Sequence, residues 1–272
     1  MVGTLAQLIA LVSHGNAFLA DGYDLRNFYP SNSTFQFCNE ISFVDVKKFY
    51  RVKEKEIAAT PDHWFAYLKE SNCRRLSLWC APTSNPQLPD HISVAFVGGG
   101  GDWYIRSGFI NHADYWLGRW EVTDQNAPDN RIWKVTYVKV SAKQKLPNLQ
   151  VGDLSARKAK LEGVLKEIGA FALKHDLHLF ATCFQNGLEA LSSDDPIALT
   201  DHKDLLPGTG YTLEAKQLIA AASQAWVLGG MGSWNDLGFA DQMEHKEYER
   251  LSEELYAAIK LCIEKGVNSY TA

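Results

Sequence analysis

The feature that most constrains the fold is a change of hydrophobic periodicity near residue 150. Before it, the clearest segment is RIWKVTYVKVSAK, residues 131–143, where Trp133, Val135 and Tyr137 alternate with more polar positions. A period of two is typical of a half-buried β-strand. After residue 150, apolar residues recur every three or four positions, as they do in amphipathic helices. The sequence therefore predicts an α+β fold.

The first half is predicted to form a mostly antiparallel, aromatic-rich sheet with one or two helices packed on it. A first helix is indicated because Leu5, Leu8, Ile9 and Val12 follow helical spacing. Pro61 is placed to begin a short second helix. The strand candidates, rich in aromatic and β-branched residues, are 33–46, 74–81, 91–99, 102–110 and 131–143.

The second half is predicted to be helical, with a bundle of about four helices. They are expected at 155–176, 177–193, 212–228 and 241–265. Thr212 and Asp241 are candidate N-caps, while Gly229 and Gly266 are candidate stops. We thus expect a β-rich region over residues 1–148 and a helical region, packed against it, over residues 149–272.

Composition excludes several partners. Residues 1–150 carry 16 Lys/Arg against 14 Asp/Glu, and the last 122 residues carry 11 against 18. Neither half is basic enough to bind nucleic acid by neutralising phosphates. The apolar runs are too short for a membrane span. The five cysteines are scattered without a C-x-x-C pair, and the apolar N-terminus has no basic residue before it, so we expect a cytoplasmic protein with reduced thiols.

Familiar chemical motifs are not recognisable. The glycines of VAFVGGGGDWYIRSGF lie between two strand-like segments, and those of GGMGSWNDLGF follow a helix. Phosphate loops instead join a strand to the N-terminus of a helix. His175 and His178 are three residues apart, but no ligand set surrounds them. The sequence predicts neither a cofactor nor a metal site.

An aromatic stretch is the first candidate site. Five of the eight tryptophans fall between residues 79 and 133. The segment FINHADYWLGRWE combines Trp116, Arg119 and Trp120 with His112 and Asp114. Trp and Arg are enriched at binding hot spots. Large aromatics also dominate protein cores, so both a core and a binding surface remain open.

The second candidate is the segment WVLGGMGSWNDLGF, residues 226–239, between two predicted helices. In one interpretation Trp234 fills a hydrophobic pocket, while Asn235 and Asp236 bind nearby backbone N–H groups. In the other, the glycines bring backbone donors to a ligand, and both polar side chains point into a cleft. The sequence leaves both open.

This segment, followed by EYERLSEELYAAI, resembles the C-terminal signature of a family of uncharacterised bacterial proteins. The resemblance covers roughly residues 155–265. It implies a bacterial origin and a cytoplasmic location. No activity comes with that family, so the resemblance assigns no residue a role.

We therefore expect a non-catalytic binding or protein-interaction module, whose partner is an unknown protein or small molecule. Its expected contact residues are Trp234, Asn235, Asp236, Trp116, Arg119 and Trp120. The alternative is a small-molecule enzyme, hydrolytic in character, with a cleft between the two halves. In that case Asp236 would be the acid–base group, together with His112 or Asp114.

Overall fold

The computed structural model describes residues 1–48, 52–81, 102–146, 152–229 and 232–271. Six α-helices and one six-stranded sheet lie in these ranges, which confirms the α+β class. The helices are α1 (Gly3–Asp21), α2 (Pro61–Glu70), α3 (Leu154–Lys174), α4 (His178–Ser192), α5 (Leu213–Gln224) and α6 (Gln242–Val267). The strands are β1 (Cys38–Lys48), β2 (Val52–Ala58), β3 (Arg75–Cys80), β4 (Trp103–Gly108), β5 (His112–Val122) and β6 (Trp133–Lys145). Two of the six helices, α1 and α2, lie in the first half, and four follow residue 150.

The sheet is mixed, with the strand order β2-β1-β6-β5-β4-β3. Strands β3 to β6 form a continuous antiparallel ladder, β2 is antiparallel to β1, and β1 runs parallel to β6. Four of the five strand pairs are thus antiparallel, as expected for a mostly antiparallel sheet, and the β1–β6 pair is parallel. The strand expected at 91–99 lies outside the described residues. Strand β2 was not predicted, since its sequence VKEKEIA is dominated by charges, which suit an edge strand.

One face of the sheet, here called the inner face, packs against α1 and α2. Phe43 of β1 stacks on Trp64 of α2 with the ring centroids 4.3 Å apart. Every residue of α1 from Leu5 to Ala17 is buried, because the helix lies between the sheet and the helices of the second half. It is therefore a helix buried all round rather than an amphipathic one. Buried residues of both halves form one continuous core.

The free edge of β3 is closed by two asparagine side chains. The amide of Asn16, on α1, exchanges two hydrogen bonds with the backbone of Leu76, at 2.7 and 3.0 Å. Asn268, which follows α6, makes the same pair of bonds with Leu78, both at 2.7 Å. These amides replace a neighbouring strand, so the backbone groups of Leu76 and Leu78 are satisfied and unavailable for pairing with another chain.

Both predicted N-caps are confirmed, but α6 continues through the predicted stop Gly266 to Val267, with Asn268 as its C-cap. The side chains of Thr212 and Asp241 accept hydrogen bonds from the first turns of α5 and α6. The predicted stop at Gly229 is wrong, because α5 ends at Gln224 with Ala225 as its C-cap. Gly229 instead adopts a φ of 117° in the connection that follows.

Candidate functional site

The connection between α5 and α6, residues 225–241, is here called the glycine-rich loop; residues 230 and 231 lie outside the described ranges. Its Trp234 is fully buried. The indole Nε1 donates to Ser252 Oγ at 2.7 Å, and the carbonyl of Trp234 accepts from the hydroxyl of Tyr248 at 2.7 Å. The rings of Phe180 and Phe184 meet the indole edge-on, with centroid distances of 5.3 and 5.4 Å. Trp234 therefore anchors the loop to α4 and α6.

Asn235 and Asp236 bind their own loop. Asn235 Oδ1 accepts from the N–H of Gly229 at 3.1 Å. Asp236 Oδ2 accepts from the N–H groups of Gly232 and Ser233, in a capping box over the short 3₁₀ helix Trp234–Asp236. Of the two interpretations of this segment, these contacts favour a joint between helices.

The aromatic stretch is divided between the two faces of the sheet. Trp116 is 1% exposed on the inner face, where it meets Trp64 edge-on and donates to Ser107 Oγ at 3.0 Å. Trp120 is half-buried against Trp133. Arg119 is exposed and forms two hydrogen bonds with Glu54, at 2.8 and 3.1 Å. Because neighbours on a strand alternate in direction, Trp116, Arg119 and Trp120 do not form one flat patch.

Two residues of the enzymatic alternative, His112 and Asp114, lie on β5, whereas Asp236 lies in the glycine-rich loop. His112 stacks on Phe109 at a centroid distance of 4.6 Å, at the start of β5. Asp114 accepts from the N–H of Lys143 at 2.8 Å and lies 3.9 Å from Lys139 Nζ. Among the described contacts, none joins Asp236 to either residue. The structure therefore does not bring this group of three together.

A different Ser–His–Asp group does come together. Ser33 Oγ donates to Asp204 Oδ1 and lies 2.8 Å from His202 Nδ1. Because the hydroxyl has one proton and gives it to the aspartate, His202 acts as the donor to Ser33 rather than as its base. In a catalytic triad the histidine lies between the other two residues. Asp204 also accepts from the N–H of Ser33 at 2.7 Å, so the group braces two loops.

An open cleft of about 380 Å³ lies beside the glycine-rich loop. One wall is the start of α4, and the others are the loop backbone and the first residues of the chain. The side chains that line it are mostly apolar: Met1, Val2, Leu179, Phe180, Trp226 and Leu228. Leu179 is 84% exposed, while Phe180 and Trp226 are half-buried, so the apolar surface is continuous and open to solvent.

The polar groups around the cleft are few and fixed. Trp226 Nε1 donates to the carbonyl of Leu228 at 2.8 Å, which holds the indole against the loop. Burial raises the pKa of the Cys183 thiol, so this side chain is neutral at physiological pH. Burial also lowers the pKa of the N-terminal amine, which donates to the carbonyl of Ser223. No Asp, Glu or His is among the described residues that line this cleft.

Sequence reasoning did not identify the cleft, although part of its signal was present. Within the predicted helix at 177–193, helical spacing puts Phe180, Cys183 and Phe184 on one apolar stripe and leaves Leu179 outside it. An apolar residue outside the buried stripe, next to a glycine-rich connection, is the feature that could have indicated this surface.

Comparisons with known proteins assign no family. No family model matches the chain, and no curated protein and no solved structure is found to be similar. The resemblance to an uncharacterised bacterial family stays a prediction. Within the described ranges, no three His, Cys, Asp or Glu side chains are grouped so that they could hold a metal ion. Every helix in those ranges is too short or too polar to cross a membrane.

Proposed function

We propose that this protein is a non-catalytic binding protein, and that its ligand is a small, largely apolar molecule held in the cleft beside the glycine-rich loop. The observation that carries the proposal is the continuous apolar surface of Leu179, Phe180 and Trp226 inside a concavity. Ligand sites are typically concave, mostly apolar and about 300–1,000 Å³ in volume. The volume of this cleft lies within that range.

The way the cleft is held supports a preformed site. Trp234 holds the loop in place through the hydrogen bonds of its indole to Ser252 and of its carbonyl to Tyr248. Asn235 fixes Gly229, which is itself part of the cleft wall. A wall that is already ordered loses little conformational entropy when a ligand binds. The loop is then both a joint between helices and one side of the site.

The chemistry of the lining supports binding rather than catalysis. A general acid or base needs a group that titrates near the working pH. The thiol of Cys183, whose pKa is raised by burial, stays protonated and is a weak nucleophile. The apolar side chains of the cleft offer van der Waals contact. Its polar groups Trp226 Nε1, Gly229 N–H and Ser233 Oγ already have hydrogen-bond partners within the protein.

Fluorescence titration with the neutral apolar dye N-phenyl-1-naphthylamine tests the proposal. We expect saturable binding to the wild type and at least tenfold weaker binding to Leu179→Glu, since a charge in the cleft must be desolvated by an apolar ligand. Met243→Glu is the matched control, because Met243 is 74% exposed and is not among the residues lining the cleft. Absent binding, or equal weakening by both variants, contradicts the proposal.

A further inference from the structure

Two arginines lie side by side on the outer face of the sheet, the face opposite α1 and α2. Arg106 of β4 is directly across from Ser77 of β3, and Arg75 is two residues before Ser77. Arg75 and Arg106 are therefore diagonal neighbours, a relation in which long side chains come within reach of each other. Arg106 is only 4% exposed.

Both guanidinium groups have hydrogen-bond donors without acceptors. Arg106 Nε donates to Ser77 Oγ at 2.8 Å, but its Nη2 is buried and has no acceptor. Arg75 Nη2 donates to the carbonyls of Asn268 and Tyr270, but its Nε is likewise buried without an acceptor. Most buried polar groups in proteins have a hydrogen-bond partner, so these two donors on neighbouring strands require an explanation.

Among the ion pairs of the described residues, none includes Arg75 or Arg106. Arg119, on the same face, shows the usual solution, a two-point contact with the carboxylate of Glu54. Burial lowers the pKa of Arg75, and the charge of Arg106 lowers it further, whereas Tyr211 acts in the opposite direction. The folded protein therefore disfavours the charged form of Arg75. A buried cation is stable when an anion neutralises it.

Three aromatic residues occupy neighbouring positions around Arg106 on the outer face. Tyr115 of β5 is directly across from Arg106, and Tyr104 is two residues before it on the same strand. Trp79 meets both rings, at centroid distances of 5.3 Å to Tyr104 and 5.4 Å to Tyr115. Trp79 is 38% exposed, so one part of this aromatic group is open to solvent.

We propose that Arg106 and Arg75 bind the oxyanion of a small aromatic acid whose ring lies against Trp79. The oxyanion accepts hydrogen bonds from the unused N–H groups of both guanidiniums, which are rigid planar donors suited to a carboxylate. It also neutralises the buried charge of Arg106 and the half-buried charge of Arg75. The exposed part of Trp79 supplies a stacking surface for the ring. This site is separate from the cleft beside the glycine-rich loop and does not depend on it.

Thermal unfolding at constant ionic strength tests this proposal, with benzoate as the probe and acetate as the ring-free anion. We expect benzoate to raise the Tm of the wild type saturably, and acetate to raise it less at equal concentration. Arg106→Met should lose the response to benzoate and should melt, without any anion, at or above the wild-type Tm, because a buried unpaired charge is gone. Arg119→Met is the matched control and should respond as the wild type does.

A Tm of the wild type that benzoate does not raise would overturn the proposal, as would an equal response of Arg106→Met. An Arg106→Met variant that melts well below the wild type would also overturn it, because the guanidinium would then be a stabilising part of the fold. Trp79→Ala decides the matter independently of these variants. Its side chain is partly exposed, so the variant should fold, and it should no longer distinguish benzoate from acetate. A preserved preference for benzoate contradicts the proposed ring position.

Discussion

Replacing Trp234 by alanine should destabilise the protein more than any other change in the glycine-rich loop. The side chain is fully buried, its Nε1 is bonded to Ser252, and the rings of Phe180, Phe184 and Tyr248 surround it. Truncation of a buried tryptophan costs about 3–5 kcal/mol of unfolding free energy. For a chain of this size each kcal/mol corresponds to roughly 2–4 °C, so we expect the Tm to fall by about 6–20 °C.

Trp234→Phe separates the contribution of the hydrogen bond to Ser252 from that of the apolar packing. Phenylalanine keeps most of the apolar volume but removes the hydrogen bond to Ser252. The hydroxyl of Ser252 still donates to the carbonyl of Tyr248, so no donor is left without a partner. We therefore expect a smaller loss, of about 1–3 kcal/mol. Urea unfolding followed by circular dichroism measures both variants. If Trp234→Ala stays within 1 kcal/mol of the wild type, Trp234 does not anchor the loop and the reasoning fails.

Three further changes have defined outcomes. Asp236→Ala should lower the unfolding free energy by about 1 kcal/mol, measured in urea, because it removes a cap; an unchanged value would contradict the capping role. Asn268→Ala should cost at least 2 kcal/mol, since it leaves the buried N–H and C=O of Leu78 unpaired, and a cost as small as that of an average surface substitution would contradict the edge contact. Burial lowers the pKa of His14 to about 4, so as the pH falls from about 6.5 the unfolded chain protonates this histidine before the folded chain does. The free energy of unfolding should therefore decline towards pH 4, by about 3 kcal/mol at most. The decline should be smaller in a His14→Asn variant.

Local signals in the sequence predicted local structure well. Thr212 and Asp241 were identified as N-caps because a cap depends on a few adjacent residues, whatever the rest of the fold does. Gly229 was misassigned as a helix stop because glycine also serves in loops with positive φ. The sequence alone does not distinguish these two uses.

Long-range features were not predictable in the same way. Trp116 and Trp79 belong to the same tryptophan-rich stretch, yet one lies in the core and the other is partly exposed on the outer face. Which face of a strand is buried depends on what packs against it, here α1 and α2. The closed edge of β3 and the unpaired donors of Arg106 likewise arise from contacts between distant segments.

The binding proposal is tested most directly by the alkylation of Cys183. It lines the cleft and is half-buried, whereas Cys38, Cys73, Cys80 and Cys262 are buried. The measurement is the rate of iodoacetamide labelling at pH 9, site by site by mass spectrometry, with and without N-phenyl-1-naphthylamine. Occupation of the cleft should slow labelling of Cys183 in proportion to the dye bound and leave the buried cysteines unchanged. Dye that binds saturably while Cys183 reacts at its original rate would place the ligand elsewhere and contradict the proposed site.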